Sequence, residues 1–156
     1  MKKTKIFIDT EFTGIETMDL ISIGLVSEDG REFYAERDDF DVGICNQFVR
    51  SNVLPILRAP GAAVMSLADL KVAVAAWLAT FESEGATIFF DHMIDWALLW
   101  ELYDKKTPEW LGSRNIKANL DLIARENFFT TTGLIQHHAL HDARANRQSM
   151  TVFNKP

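Results

Sequence analysis

A chain of 156 residues, 47 % hydrophobic and 24 % charged, is long enough for one domain with a sizeable core and has the composition of a soluble globular protein. Its 16 Lys and Arg face 22 Asp and Glu; the net charge of -6 argues against a protein wrapped along duplex DNA, though not against an enzyme that grips a short single-stranded end through metal ions. The lone Cys45 excludes an internal disulfide framework and fits a reducing compartment.

Met1-Lys2-Lys3-Thr4 runs straight into the first strand without an apolar signal segment, and no run of about 18 apolar residues follows. The expectation is one cytoplasmic, soluble domain over 1–156 with no membrane association. The first strand covers Thr4 to Glu11, and its apolar Ile6, Phe7 and Ile8 in succession suggest burial on both faces. Asp9 and Glu11 stand at its end. Residues i and i+2 of a strand share a face, so the two carboxylates project side by side. They repel unless a cation lies between them, and a divalent metal is the usual reason to accept that cost. The alternative is a strand end where both acids are solvated.

A second strand spans Leu20 to Val26, with Gly24 marking a close approach by another element. Asp29-Gly30 is a hairpin signal leading into a third strand, Arg31 to Ala35. Asp38 to Asn46 reads as an acidic loop, and Gln47 to Leu57 as a short helix ended near Pro55 or Pro60. Ser66-Leu67-Ala68-Asp69 reads as a capping box. The helix behind it carries Leu67, Leu70, Val74, Trp77, Leu78 and Phe81 on one stripe. Ala86 to Phe90 is a fourth strand, and Met93 to Tyr103 is a helix apolar nearly all round. Asn119 to Glu126 reads as helical, and a last helix begins near His138 and runs toward Phe153. A three-strand meander followed by helix, strand, helix, helix predicts an α/β sheet with helices packed on it, and its site at the C-terminal end of the first strand.

Asp95 lies among apolar neighbours near the start of the helix predicted over Met93 to Tyr103. It is favoured over Asp91 as a metal ligand because its surroundings leave few polar partners. A helix N-terminal acid stabilised by the macrodipole would also account for either residue, Asp91 being nearer a true N-cap. In Gln136-His137-His138-Ala139-Leu140-His141-Asp142, three readings stay open. His137 and His141 have the i, i+4 spacing of a zinc pair, but H-E-x-x-H is absent. A histidine on the loop before the helix suits a general base, with Asp142 one turn inside. All three histidines could also be solvated.

Taken in order, Asp9-Thr10-Glu11-Phe12-Thr13-Gly14, Asp91 to Asp95, and His137-His138-Ala139-Leu140-His141-Asp142-Ala143 resemble the three motifs of the DEDDh 3′-5′ exonucleases, often D-x-E-T-T-G, N-x-x-x-D and H-x4-D. Asp91 departs from the Asn of the second motif. Ile21-Ser22-Ile23-Gly24, Ser27 to Ala35, Val53-Leu54-Pro55 and Phe12 resemble more narrowly the small prokaryotic 3′-5′ exoribonucleases of the RNase AS type. The likeness is carried by the first third of the chain and by His137–Asp142. It implies a ribonuclease H-like mixed sheet, an antiparallel meander of three strands plus parallel strands, flanked by helices. It implies that Asp9, Glu11, Asp95 and Asp142 hold two Mg²⁺ or Mn²⁺ ions, hard cations suited to carboxylates. Glu11 and His137 would orient an attacking water, His137 taking its proton. Thr10, Phe12 and Thr13 would contact the terminal nucleotide, with Phe12 either stacking on a base or packing in the core. The implied partner is the 3′ end of single-stranded RNA, cut to nucleoside 5′-monophosphates by a homodimer. The same chemistry on DNA is the alternative, and a non-catalytic nucleic-acid-binding module on the same fold is a further one.

Overall fold

The structure is a computed structural model that describes residues 3–151. The start at Met1-Lys2 and the expected helix end near Phe153 lie outside these residues. Strands β1 (Thr4–Phe12), β2 (Leu20–Ser27) and β3 (Glu32–Arg37) form the antiparallel meander. The turn between β2 and β3 closes through Ser27 and Arg31, with Gly30 at φ +95°. Strand β5 (Ala86–Phe90) lies parallel to β1, β6 (Leu111–Asn115) parallel to β5, and the two-residue β4 (Val64–Met65) parallel to β3. The sheet order is β4-β3-β2-β1-β5-β6. With its helices, this is the ribonuclease H-like mixed sheet that the motifs implied.

The five helices are α1 (Gln47–Asn52), α2 (Leu67–Ala79), α3 (Met93–Leu102), α4 (Leu122–Thr132) and α5 (Ala139–Ser149). The alternation of β1 decides which layer each residue meets. Ile6 and Ile8 join Leu70, Val74 and Leu78 of α2 and Leu98 and Leu99 of α3 in the main core. Phe7, on the other face, packs with Phe89 and Ile116. Helix α5 packs on β1 and β2, with α4 against it. The Ser66 hydroxyl caps α2 by accepting from the Asp69 N–H.

Several boundaries differ from expectation. The helix expected over Gln47 to Leu57 ends at Asn52, and Pro55 continues the chain in a 3₁₀ turn, Leu54–Ile56, because proline has no N–H for an α-helical bond. The helix expected at Asn119 to Glu126 begins later: Asp121 accepts from the N–H groups of Ile123 and Ala124, and Gly133 ends it at φ +69°. Helix α5 stops at Ser149, where Leu120 and Met150 form a bridge that turns the chain away. Strands β4 and β6 had no sequence signal. In β6 only Leu111 is buried, so period-two hydrophobicity is absent; main-chain pairing with β5 builds it. No helix of the described residues is long and apolar enough to cross a membrane.

Candidate active site

Asp9 and Glu11 emerge on the α5 side of β1, where Asp9 pairs across the ladder with Gly24. No side chain at Gly24 could fit, since a Cβ there would lie 2.4 Å from the Ala139 carbonyl carbon and the Leu140 nitrogen. The start of α5 therefore rests on the main chain of β2 beside Asp9, and it carries Asp142 in its first turn. Carboxylate oxygens of Asp9, Glu11 and Asp142 all lie within 4.8 Å of one another. Those of Asp9, Asp91 and Asp95 form a second group within the same limit, so Asp9 belongs to both.

Asp95 sits in the first turn of α3, which His92 caps. Its Oδ1 accepts from the main-chain N–H of Thr10 at 3.0 Å and from the Thr10 hydroxyl at 2.7 Å. Its Oδ2 is buried without a hydrogen-bond partner. Asp142 accepts from Arg125 Nη2 at 2.6 Å and from the His138 N–H at 3.2 Å. His137, just before α5, adopts φ +63°. A left-handed residue lets successive N–H groups converge on one anion, and the N–H groups of both His137 and His138 favour the charged form of Asp142.

Burial raises the pKa of every acid in the two groups that shows a shift. Asp9 lies well above the usual carboxylate range, from burial and then from repulsion by Asp95, Asp142, Glu11 and Asp91. Burial, with Asp142 and Asp95, pushes Glu11 up to about 8. Burial takes Asp95 to about 7 against the Thr10 hydrogen bonds, and raises Asp142 against the opposing charge of Arg125. Such a cluster favours a multivalent cation over bare anions, and the all-oxygen donor set suits Mg²⁺ or Mn²⁺. The buried, unpartnered Asp95 Oδ2 is the observation within the cluster that asks for a positive partner.

The histidines take separate positions. The His137 ring stands edge-on to Phe48 with centroids 4.9 Å apart. His138 is stacked between Tyr34 at 4.4 Å and His141 at 3.9 Å, and burial pushes it down to about 4. Nδ1 of His141 lies 3.0 Å from the Ile135 carbonyl oxygen. Among the described residues no histidine joins either carboxylate group.

The three residues expected at the terminal nucleotide also diverge. Thr10 is buried, with its hydroxyl committed to Asp95. Thr13 is fully buried; its hydroxyl contacts that of Thr17 and accepts from the Asp19 N–H. Phe12 packs partly on the core and also lines a cavity of about 340 Å³ with Glu11, Ile15, Phe48 and Val49.

Sequence reasoning did not find Arg125 or Asn146. Nε of Arg125 donates to the Asn146 amide oxygen at 3.0 Å, and Asn146 Nδ2 donates to Asp91 Oδ1 at 2.9 Å. Asn146 follows Asp142 by one helical turn, a spacing that could have marked it; Arg125 arrives from another helix and has no local signal.

No family model matches the chain. Two proteins from Mycobacterium tuberculosis, one from strain CDC 1551 / Oshkosh and one from strain H37Rv, match it over 57 residues at 53 % identity. Both are named 3′-5′ exoribonuclease. The matched stretch is 35 % of this chain and spans about a third, 33 %, of those relatives.

Proposed function

We propose that this protein is a metal-dependent 3′-5′ exoribonuclease of the DEDDh type, closest to the RNase AS group, releasing nucleoside 5′-monophosphates from single-stranded RNA. The observation that carries the reading is the pair of carboxylate groups sharing Asp9, with a buried Asp95 oxygen left without a donor. The name of the partial relatives supports the RNA assignment and the polarity. Asp9, Glu11, Asp95 and Asp142 would hold two Mg²⁺ or Mn²⁺ ions. When bound, such a pair neutralises charge on the scissile phosphodiester and activates the attacking water.

The chain's own residues do the rest. Glu11 and His137 would orient the attacking water, with His137 accepting its proton. Phe12 and Phe48 offer aromatic faces for the terminal base within the cavity beside Glu11. Thr10 acts through Asp95, and Thr13 holds the loop after β1. The reading includes a homodimer and a cytoplasmic location, the latter supported by the free, buried Cys45.

The test is a product ladder from 5′-labelled RNA and DNA oligomers with Mg²⁺ or Mn²⁺. RNA is expected to shorten from the 3′ end one nucleotide at a time, more slowly as a duplex, and not at all with chelator or a 3′-phosphate. Faster loss of single-stranded DNA would replace the RNA assignment with exodeoxyribonuclease. Internal cleavage of a circular substrate would overturn the exonuclease reading.

A further inference from the structure

Asp91 follows β5 and precedes α3, in the position where the second DEDDh motif usually has Asn. Here it is a carboxylate, and one of its oxygens lies within 4.8 Å of a carboxylate oxygen of Asp9 and one of Asp95. Asn146 holds it there. The Asn146 side chain is fully buried, and each end of its amide has a defined partner. The oxygen accepts from Arg125, a residue that can only donate, so the NH₂ end must face Asp91 and requires an acceptor there. That bond uses one of the two Asp91 oxygens. Arg125 continues the chain of contacts to Asp142 through a 2.6 Å bond. The path Asp91–Asn146–Arg125–Asp142 therefore ties one acid of the first group to one acid of the second, outside the shared Asp9.

A cluster of acids alone would not define a ligand position. The second observation is on Asp95, which belongs to the same group as Asp91: its Oδ2 has no hydrogen-bond partner although the residue is 2 % exposed. Its other oxygen is already filled by Thr10. A cation seated against Asp9, Asp91 and Asp95 would satisfy that oxygen and relieve the repulsion among the three.

We propose that Asp91 is a fifth carboxylate of the metal centre, a ligand of the cation held by Asp9 and Asp95, with Asn146 and Arg125 as positioning residues that couple it to Asp142. The proposal rests on the metal-dependent reading above and deepens it. It assigns the two cation positions unequal ligand sets: Asp9, Glu11 and Asp142 at one, and Asp9, Asp91 and Asp95 at the other.

The test is Mn²⁺ titration of the full chain, read as free Mn²⁺ by electron paramagnetic resonance. Wild type is expected to bind two ions. Asp91→Asn removes the charge yet keeps an acceptor for Asn146, and it should weaken one ion by about tenfold or more while the other stays within about twofold. Asn146→Ala removes the contacts to Asp91 and to Arg125 Nε while leaving every carboxylate in place, and should weaken the same ion by about 10–100-fold, the usual range for an outer partner of a ligand. Melting of each metal-free variant checks that the fold is retained. If wild type binds two ions and the Asp91→Asn titration superimposes on it, the fifth-ligand assignment is overturned while the metal-dependent reading stands. If wild type binds no divalent ion, both fall together.

Discussion

Asp9 is the residue on which the site turns, since both carboxylate groups depend on it. The acids and the histidine around it have separable jobs. On the metal-dependent reading proposed above, replacing Asp9, Glu11, Asp95 or Asp142 would remove a cation ligand, so metal affinity and turnover should fall together. His137 has its ring against Phe48, and both its main-chain N–H and the charge of its side chain favour ionised Asp142. His137→Asn is the informative change, because Asn tolerates the left-handed conformation that φ +63° requires. It should lower kcat by about 10²–10⁴-fold, the usual weight of a general base, and leave Mn²⁺ affinity within about twofold. Parallel kinetics on His138→Ala and His141→Ala check the assignment, and a larger loss of kcat at either would transfer the base to that residue. His138 is the weaker candidate because its ring is enclosed between Tyr34 and His141.

At the scale of elements, the site depends on how closely α5 approaches the sheet. Gly24 is required for space: the main chain at Ala139 and Leu140 occupies the volume that any Cβ would need. Gly24→Ala must push the N-terminus of α5 outward, and Asp142 moves with it. Overpacking of this kind costs about 1–3 kcal/mol. The expected outcome is a lower urea midpoint and a loss of activity larger than the unfolded fraction explains, since Asp142 would withdraw from Asp9. A variant with wild-type stability and turnover would show that the close approach is dispensable. Helix α3 is fixed differently, through the two Thr10 bonds that lock Asp95 to β1.

For the whole molecule, the concentration of acid at one end of the sheet sets its response to pH. In the unfolded chain Asp and Glu ionise near about pH 4. In the folded, metal-free protein Asp95 keeps its proton to about 7 and Glu11 to about 8. Between these limits the folded state binds more protons than the unfolded one, so stability is fullest below about pH 4 for these groups and is lost as pH rises toward 8. Asp29, held low by its hydrogen bond to Arg31, and Glu32, held low by Arg144, act in the opposite sense only in acid. Buried His138, held down to about 4, adds stability as pH rises to about 6.5, so the Tm of metal-free protein should fall most clearly above that, between about pH 6.5 and pH 8. Adding Mg²⁺ or Mn²⁺ should restore it most at the upper end, where protons compete least with the cation. Thermal melts across that range, with chelator and with metal, check this; a metal-free Tm that climbs over the same interval would contradict the raised carboxylates.

The sequence by itself determined what local chemistry can encode. Apolar succession in Ile6, Phe7 and Ile8 marked a central strand, Asp29-Gly30 a hairpin, Ser66 a cap, and the i, i+2 step from Asp9 to Glu11 a shared face. Those strand and turn signals predicted the three-strand meander, and the resemblance to the exonuclease motifs implied the ribonuclease H-like sheet. Strands β4 and β6 were not legible, because an edge strand is held by its neighbour's main chain and needs no pattern of its own. The start of α4 was misplaced by a few residues for a related reason: several polar residues precede it, and only the hydrogen bonds of Asp121 decide which one caps. Tertiary structure alone brought Asp91 to Asp9, ran Arg125 and Asn146 between the two carboxylate groups, and turned the Thr10 and Thr13 hydroxyls inward. Those facts depend on distances between segments up to 85 residues apart, as between Thr10 and Asp95, and on which side chain is shut away from water. Neither quantity is a property of a residue and its neighbours in sequence; both arise only when the sheet closes against α3 and α5.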